Sequence, residues 1–530
     1  MFSVISTVFS STLGILGLET GVFLSLVMFI VFMAMILTGY NVAFSFAATA
    51  IAFAFIGDLT DSFNPSTLNT LPSRWFAAIN DQNLLAVPLF VLMGAILERS
   101  GLAERLLTAI GMLMGGLRGG VAGAVVIVGT LLAAATGVVA ATVIVMGLLS
   151  LPAMVRLGYD HKLATGVITA SGTLAQLLPP SIVLILLAQQ LGVGILNLFA
   201  GALLPGLLLA GLYIAYVLVL SYAKPDVAPA MPIEQRTLSG NPSMKAKVQI
   251  AAVLGAMVML TLLLAGGSTA LVGGAVSFVV ILGVLSVTKM LASEVMVSIV
   301  PIILLIIGVL TAIFQGFATP SESGAVGVFG ALILTVSNWW FDRLLAREGA
   351  EHIEPKWRLG RAELKHAGQS TANIVVLVMT LLFCSTFFSL MFFQLGGSDQ
   401  TSEWLTSIGG GKAGFVVVAM IALFILGINL EFLEITFIVV PIFVPAMVEL
   451  GFTTDEFVWF AVLMAVNLNM AFISPPVGFS LFYLQSVAPP EVTTASIHKG
   501  AIPFMCLQGV ALLILAVFPS ITFFSIDVFG

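Results

Sequence analysis

LMAVNLNMAFISPPVGFSLFYLQ, residues 463–485, is long enough to cross a bilayer and almost wholly apolar, yet its middle holds Asn467, Asn469, Ser474, Pro475, Pro476 and Gly478. Proline lacks a backbone donor and clashes with the preceding turn, and it pushes its predecessor out of helical geometry. A helix must therefore break here, at membrane depth. Bare peptide groups are too costly in hydrocarbon, so a broken helix persists only where protein or a polar cavity surrounds it. Secondary transporters build substrate and ion sites from such breaks.

The rest of the chain agrees with a membrane setting. Of 530 residues, 60% are hydrophobic and 8% charged, too few charges for a water-facing surface. The composition indicates an all-α polytopic membrane protein. Cys384 and Cys506 both lie in apolar runs, which offers no disulfide framework and no metal set. There is no phosphate loop of the GxxxxGK[ST] kind and no nucleophile–base set at depth, so neither ATP hydrolysis nor enzyme chemistry is indicated, and no cofactor or nucleic-acid partner is expected.

Working back from 463–485, the chain repeats itself. Pro152-Ala-Met-Val-Arg-Leu-Gly-Tyr159 returns as Pro445-Ala-Met-Val-Glu-Leu-Gly-Phe452. Pro179-Pro180 begins 27 residues after Pro152, and Pro475-Pro476 begins 30 after Pro445. The first of these breaks carries Ser171, Gly172, Thr173, Gln176 and Ser181 around its prolines. Gly137 and Gly427 mark small or polar interruptions upstream of each PAMV motif. Each half thus reads as an apolar arm, an interruption, a second arm, the PAMV motif and a helix broken at Pro-Pro.

Basic residues relate the halves. Loop ends at 99–118 and 156–162 carry Arg99, Arg105, Arg118, Arg156 and Lys162. Their counterparts at 396–412 and 449–456 are acidic except for Lys412. Cytoplasmic loops hold the excess of Lys and Arg, so equivalent loops fall on opposite faces and the repeat is inverted. Segments 119–155 and 411–448 then start and finish on the same face, as re-entrant hairpins. About twelve transmembrane helices and two hairpins, with both termini periplasmic, place 17 of the 19 basic residues inside. The expected organisation is a first repeat over 1–222 (hairpin 119–155, broken helix 162–192), a linker with two extra helices over 223–295, and a second repeat over 296–530 (hairpin 411–448, broken helix 457–487). Residues 98–120 read as an amphipathic in-plane arm.

Polar residues at depth give the candidate site. The second hairpin tip holds Asn429, Glu431 and Glu434, and a carboxylate inside a membrane marks function by default. A helix-capping role explains one of the pair, Glu434, since acids favour helix N-termini. Thr136 and Gly137 form the first tip. Thr136, Gly172, Thr173, Asn429, Asn469 and Ser474 are the candidate Na⁺ ligands, because hydroxyl, amide and carbonyl oxygens suit a hard cation. The freed helix N-termini at Pro179–Ser181 and Pro475–Gly478 suit an anion. For any single Ser, Thr or Gly, close helix packing is the simpler explanation. Thr319-Pro-Ser-Glu322 reads as a local helix cap.

Gly172-Thr-Leu-Ala-Gln-Leu-Leu-Pro-Pro-Ser181, Gly316-Phe-Ala-Thr-Pro-Ser-Glu-Ser-Gly-Ala325 and Ile473-Ser-Pro-Pro-Val-Gly478 resemble the large membrane subunit of tripartite ATP-independent periplasmic (TRAP) transporters. Leu89-Phe-Val-Leu-Met-Gly94 and Val440-Pro-Ile-Phe-Val-Pro445 fit the same pattern. The resemblance implies an inverted-repeat, elevator-type secondary transporter of a bacterial inner membrane. It would take up a small organic acid anion, a carboxylate, with Na⁺ as coupling ion. Its partners would be a periplasmic substrate-binding protein and a small four-helix membrane subunit, the latter a separate chain. The family has a Ser-Gly-Ser type first tip where this chain has Thr136-Gly-Val-Val-Ala140, and the extra pair near 247–265 and 269–288 resembles a longer branch. A stand-alone Na⁺- or H⁺-coupled symporter and a channel or scaffold subunit are the alternatives.

Overall fold

The computed structural model describes residues 19–233, 244–264, 279–281, 290–347 and 359–529, and every regular element among them is helical. Most of the second extra segment, 269–288, lies outside the described residues, as do Arg236, Lys289, Lys356 and Arg358. The first repeat opens with α1 (Thr20–Leu37), α2 (Val42–Leu59), a short α3 (Leu71–Ile79) and α4 (Ala86–Arg99). The arm is α5 (Leu102–Met114), the hairpin α6 (Gly120–Thr136) and α7 (Val139–Arg156). The broken helix is α8 (His161–Thr173) plus α9 (Ile182–Leu191), and α10 (Ile195–Ala223) closes the half. After α11 (Met244–Leu264) the pattern recurs: α12 (Met290–Phe314), α13 (Pro320–Arg347), α14 (Arg361–Gln394), arm α15 (Gly397–Ser407) and hairpin arm α16 (Gly411–Gly427). The returning arm is α17 (Phe432–Ile438) and α18 (Val440–Glu449), the broken helix α19 (Thr454–Phe472) and α20 (Phe479–Val487), followed by α21 (Thr494–Val517) and α22 (Ser520–Phe529). Among the described residues ten helices are long and apolar enough to cross a membrane, or up to twelve if each sharply bent pair is one span.

The inversion is visible in how α8 and α19 lie against α21. Glycine at 166 and 500 lets the start of α8 meet the start of α21 backbone to backbone; a Cβ at either position would strike the other helix's main chain. Further along, Thr173 of α8 meets Gln508 of α21, so the two helices run parallel. Trp459, near the start of α19, instead donates its indole N–H to the Leu515 carbonyl at 2.9 Å, and Met470 lies beside Gly509. That helix runs antiparallel to α21. The PAMV motifs immediately precede α8 and α19, so they sit at opposite ends of a rod about 1.5 Å per residue long. Packing partners exchange accordingly: α4 lies on α13 where α2 lies on α14, and α7 lies on α20 where α17 and α18 lie on α9.

Both hairpins close at their bases through equivalent residues. In the first, Tyr159 at the end of the PAMV motif accepts a hydrogen bond from the Val121 amide through its hydroxyl. Gly119 and Asp160, at the two ends of the hairpin, donate their amides to Ala228 and Val227, so the start of the linker straps the base. In the second, the equivalent Phe452 packs its ring 5.7 Å from Phe415, and Lys412 pairs with Glu456 at 2.7 Å. Gly158 and Gly451, one residue before each aromatic, both hold positive φ (81° and 72°), the conformation a side chain resists. The hairpins differ in the returning arm. Residues 139–156 form one helix, whereas the second arm bends by 46° between α17 and α18, where Pro441 enters.

The arm α5 departs from a simple interfacial helix with its charges in water. Arg105 is turned inward, where Nη1 contacts the Asp342 carboxylate and the Asn338 side-chain oxygen at 2.6 Å each. The two charged side chains are 7% and 15% exposed, which makes this a tie from the arm into α13.

Candidate substrate and ion site

The broken helices end where the prolines dictate. α8 passes through a single 3-10 turn (Leu174–Gln176) and stops, and Leu177–Ser181 are buried irregular backbone before α9. α19 ends at Phe472, and the chain turns back so tightly that a Cβ on Gly478 would lie 2.5 Å from the Phe472 carbonyl. This second break is less enclosed: Ser474 is buried but Pro476 is exposed. Each break meets a hairpin. Gly137, at φ 62°, turns the first tip over the Pro180 carbonyl, and Gly427 lets α16 press on Leu468 and Ala471 of α19.

One cavity of about 110 Å³ gathers these parts. The first tip contributes Gly137–Ala140, the first break Gln176, Ile182 and Val183, the second tip Glu431–Leu433, and the second broken helix Phe472 and Tyr483. Ile374 and Leu377 of α14 close it. The N-terminal turns of α7 and α9 both face this space, with no side-chain cap on either, so their amide dipoles present positive potential to it. Glu431 is the charged group among the described lining residues. Its amide donates to the Glu434 carboxylate at 2.9 Å, so Glu434 caps α17 and leaves Glu431 to face the cavity.

The other expected site residues divide clearly. Thr136 is held in the tip: the Thr142 hydroxyl donates to the Val138 carbonyl and lies 3.0 Å from Thr136 Oγ1. Ser171 donates to the Ile168 carbonyl and abuts Gly129, while Gly172 receives Val143 where a Cβ would not fit. These two are helix-packing positions. Thr173 accepts from Gln508, which also donates to the Tyr213 hydroxyl at 2.7 Å, forming a buried trio behind the break. Ser181 donates to the Gln176 carbonyl across the Pro179–Pro180 turn. Asn429 is exposed and does not line the cavity. The two asparagines of α19 have opposite fates. Asn467 donates to the Met420 carbonyl at 2.7 Å, whereas Asn469 is fully buried with both amide atoms unpartnered.

Sequence reasoning did not select Gln176, Tyr483, Tyr213 or Gln508. Gln176 Oε1 is buried, unpartnered and at the cavity wall, and its place between Gly172 and Pro179 was the available signal. Tyr213 and Gln508 sit in long apolar helices with nothing local to mark them.

The motifs around Gly94 and Thr319–Gly327 also pack on the first tip and on one another. Gly94 of α4 approaches the first tip, where a Cβ would lie 2.7 Å from Thr136 Cα, and Gly324 and Gly327 of α13 receive Leu89 and Met93 of α4. Thr319 and Glu322 form the reciprocal cap expected of them, with the Thr319 amide 2.7 Å from the carboxylate.

A multi-pass helical protein with two re-entrant hairpins and two broken helices around a central cavity is a secondary transporter by architecture. The sequence matches the family described as "Tripartite ATP-independent periplasmic transporter, DctM component" over residues 29–291 and 286–521, and the chain belongs to that family. It is 25% identical over 461 residues to the C4-dicarboxylate TRAP transporter large permease protein DctM of Pseudomonas aeruginosa, covering 87% of this chain and 90% of that one. It is 23% identical to the sialic acid TRAP transporter large permease protein SiaM of Vibrio cholerae, covering 94% and 97%. The isethionate TRAP transporter permease protein DctMQ of Oleidesulfovibrio alaskensis is 24% identical, with 85% of this chain matching 59% of that one. The crystal structure of the Alcanivorax borkumensis YdaH transporter shares the fold, with a TM-score of 0.53 at 14% identity over 85% and 87% of the two chains. These relatives are transporter permeases; the chain is a large membrane subunit and not an enzyme.

Proposed function

We propose that this subunit drives Na⁺-coupled uptake of a small organic acid anion, delivered by a periplasmic binding protein, across a bacterial inner membrane. The observation that carries the reading is the central cavity, where both hairpin tips and both broken helices meet. The uncapped starts of α7 and α9 favour an anion there, in a wall that lacks Arg and Lys among its described residues. Relatives named for C4-dicarboxylates, sialic acid and isethionate suggest the substrate class without choosing within it. Asn469 is the foremost Na⁺ ligand candidate, because a buried amide with no partner is costly unless something occupies it. A small membrane subunit, as a separate chain, completes the assembly. The hairpins and broken helices would move together against α2, α4, α13 and α14 in an elevator motion, with both termini periplasmic as the basic residues indicate.

Uptake by proteoliposomes containing this chain and its small subunit tests the reading. Accumulation should require an inward Na⁺ gradient and the binding protein together. Accumulation without the binding protein would indicate a stand-alone symporter, and flux indifferent to any ion gradient a channel. Glu431 at the cavity wall favours one second reading, proton coupling. In that case Glu431→Gln would abolish pH-driven uptake and Na⁺ would be dispensable.

A further inference from the structure

A second cavity, of about 240 Å³, opens where α3 and the end of α14 face the second hairpin. Its walls carry Arg74 from α3, Phe388, Ser389, Phe392 and Phe393 from α14, and Ser398 from α15; Ile438, Pro441 and Pro445 close it from the hairpin. Arg74 is exposed, and no ion-pair partner for it occurs among the described residues. Its helix is fixed in place, because the Trp75 indole donates to the Phe383 carbonyl at 3.1 Å. Apart from Lys412, this end of the molecule is otherwise acidic, with Asp399 and Glu403 on α15 and Glu449 at the end of α18. The basic-residue pattern assigns it to the outer face. Of the two cations assigned to this face, Lys412 is already paired with Glu456, which leaves Arg74 as the one open to an approaching anion.

We propose that the cavity is an outer vestibule that holds a small organic anion before it reaches the central cavity. This rests on the reading of the chain as an anion importer. The Arg74 guanidinium would grip the anionic head, since its planar fork matches a carboxylate or a similar oxyanion. Ser389 and Ser398 offer hydroxyl groups, and the phenylalanine rings line the rest of the wall and lower the local dielectric around the guanidinium. Among the described residues the central cavity carries no such cation, so Arg74 supplies the local enrichment that the inner site cannot. Because one wall belongs to the hairpin and the other to α14, any displacement of the hairpin would open or shut the vestibule. The shared chemistry, an oxyanion head group, also describes an anionic lipid, and the test separates the two.

The test reads the vestibule's potential directly. Cys384 and Cys506 are replaced by serine, Ser389→Cys is introduced at the half-buried position of the cavity wall, and the full chain is reconstituted in phosphatidylcholine liposomes. Labelling rates are compared for an anionic and a cationic methanethiosulfonate of similar size. Arg74→Gln should lower the anionic-to-cationic rate ratio by roughly tenfold, the effect of one unit charge at close range in a partly aqueous site. Arg74→Lys should keep most of the ratio, and Arg99→Gln, at the other end of the molecule, should leave it unchanged. Succinate, N-acetylneuraminate or isethionate should slow labelling beside Arg74 and not in Arg74→Gln. An unchanged ratio in Arg74→Gln overturns the proposal. So does slowing by added phosphatidylglycerol with none by the three soluble anions. Labelling needs no ion gradient and no binding protein, so a failure of Na⁺-driven uptake would strike the transport reading and leave this result standing.

Discussion

Asn467 and Asn469 stand two residues apart on α19 and pose opposite problems. The first is hydrogen-bonded to the hairpin arm through the Met420 carbonyl. Asn467→Ala should lower stability by about 1 kcal/mol, because it removes a buried hydrogen bond between the broken helix and the hairpin arm, and thermal unfolding in detergent measures this. The second has two buried amide atoms without partners. Asn469→Leu, similar in volume, should leave stability unchanged or raise it, yet depress uptake. If Asn469 holds the coupling ion, NaCl in place of choline chloride should raise the unfolding temperature of the native chain and not of the variant. At a hundredfold excess over Kd such linkage contributes about 2.7 kcal/mol. Equal Na⁺ responses in both would remove Asn469 from the ion site. The sequence placed both asparagines at the break but could not rank them. α19 is apolar almost all round, so no polar stripe tells which side chain faces a bond and which faces a void. The same blindness grouped Ser171 and Gly172, which pack, with Gly137, which lines the cavity.

Hairpins were the legible elements, because their signals are local: positive-φ glycines, prolines and a repeated motif. The equivalence of Tyr159 and Phe452 follows from that motif, and both close a hairpin base. Tyr159→Ala and Phe452→Ala should each cost about 3 kcal/mol in unfolding measurements, as for other buried aromatics. Gly94→Ala should be more damaging to transport than to folding of the remainder, because its Cβ would press on the Thr136 backbone at the first tip. Its uptake should fall while its oligomeric state on a sizing column stays native; normal uptake would mean the tip does not rest on α4. What the sequence could not reveal was long-range pairing. Arg105 was counted with the interfacial charges of the arm, since its partner Asp342 lies 237 residues away. Asp342→Asn takes a carboxylate away from a buried guanidinium and should cost about 3–5 kcal/mol. The loss should be recovered in part by a joint apolar replacement of Arg105 and Asp342.

Across the whole molecule, two antiparallel copies of one arrangement meet at the central cavity, and in the proposed mechanism this symmetry would let the cavity open to either face in turn. The second state of that mechanism would follow from exchanging the roles of the two halves, which already exchange packing partners: α4 with α13, α2 with α14. The direction of that exchange came from charge placement in the sequence, and the contacts of α8 and α19 along α21 supply the geometry. The most direct measurement is the sidedness of one cavity residue. In a chain with Cys384 and Cys506 replaced by serine, Ala140→Cys at the first tip is reacted with a membrane-impermeant maleimide from each face of sealed vesicles. The account predicts labelling from both faces, with the ratio shifted by Na⁺ together with a transported anion. Labelling confined to one face, whatever ions and anions are present, would contradict it.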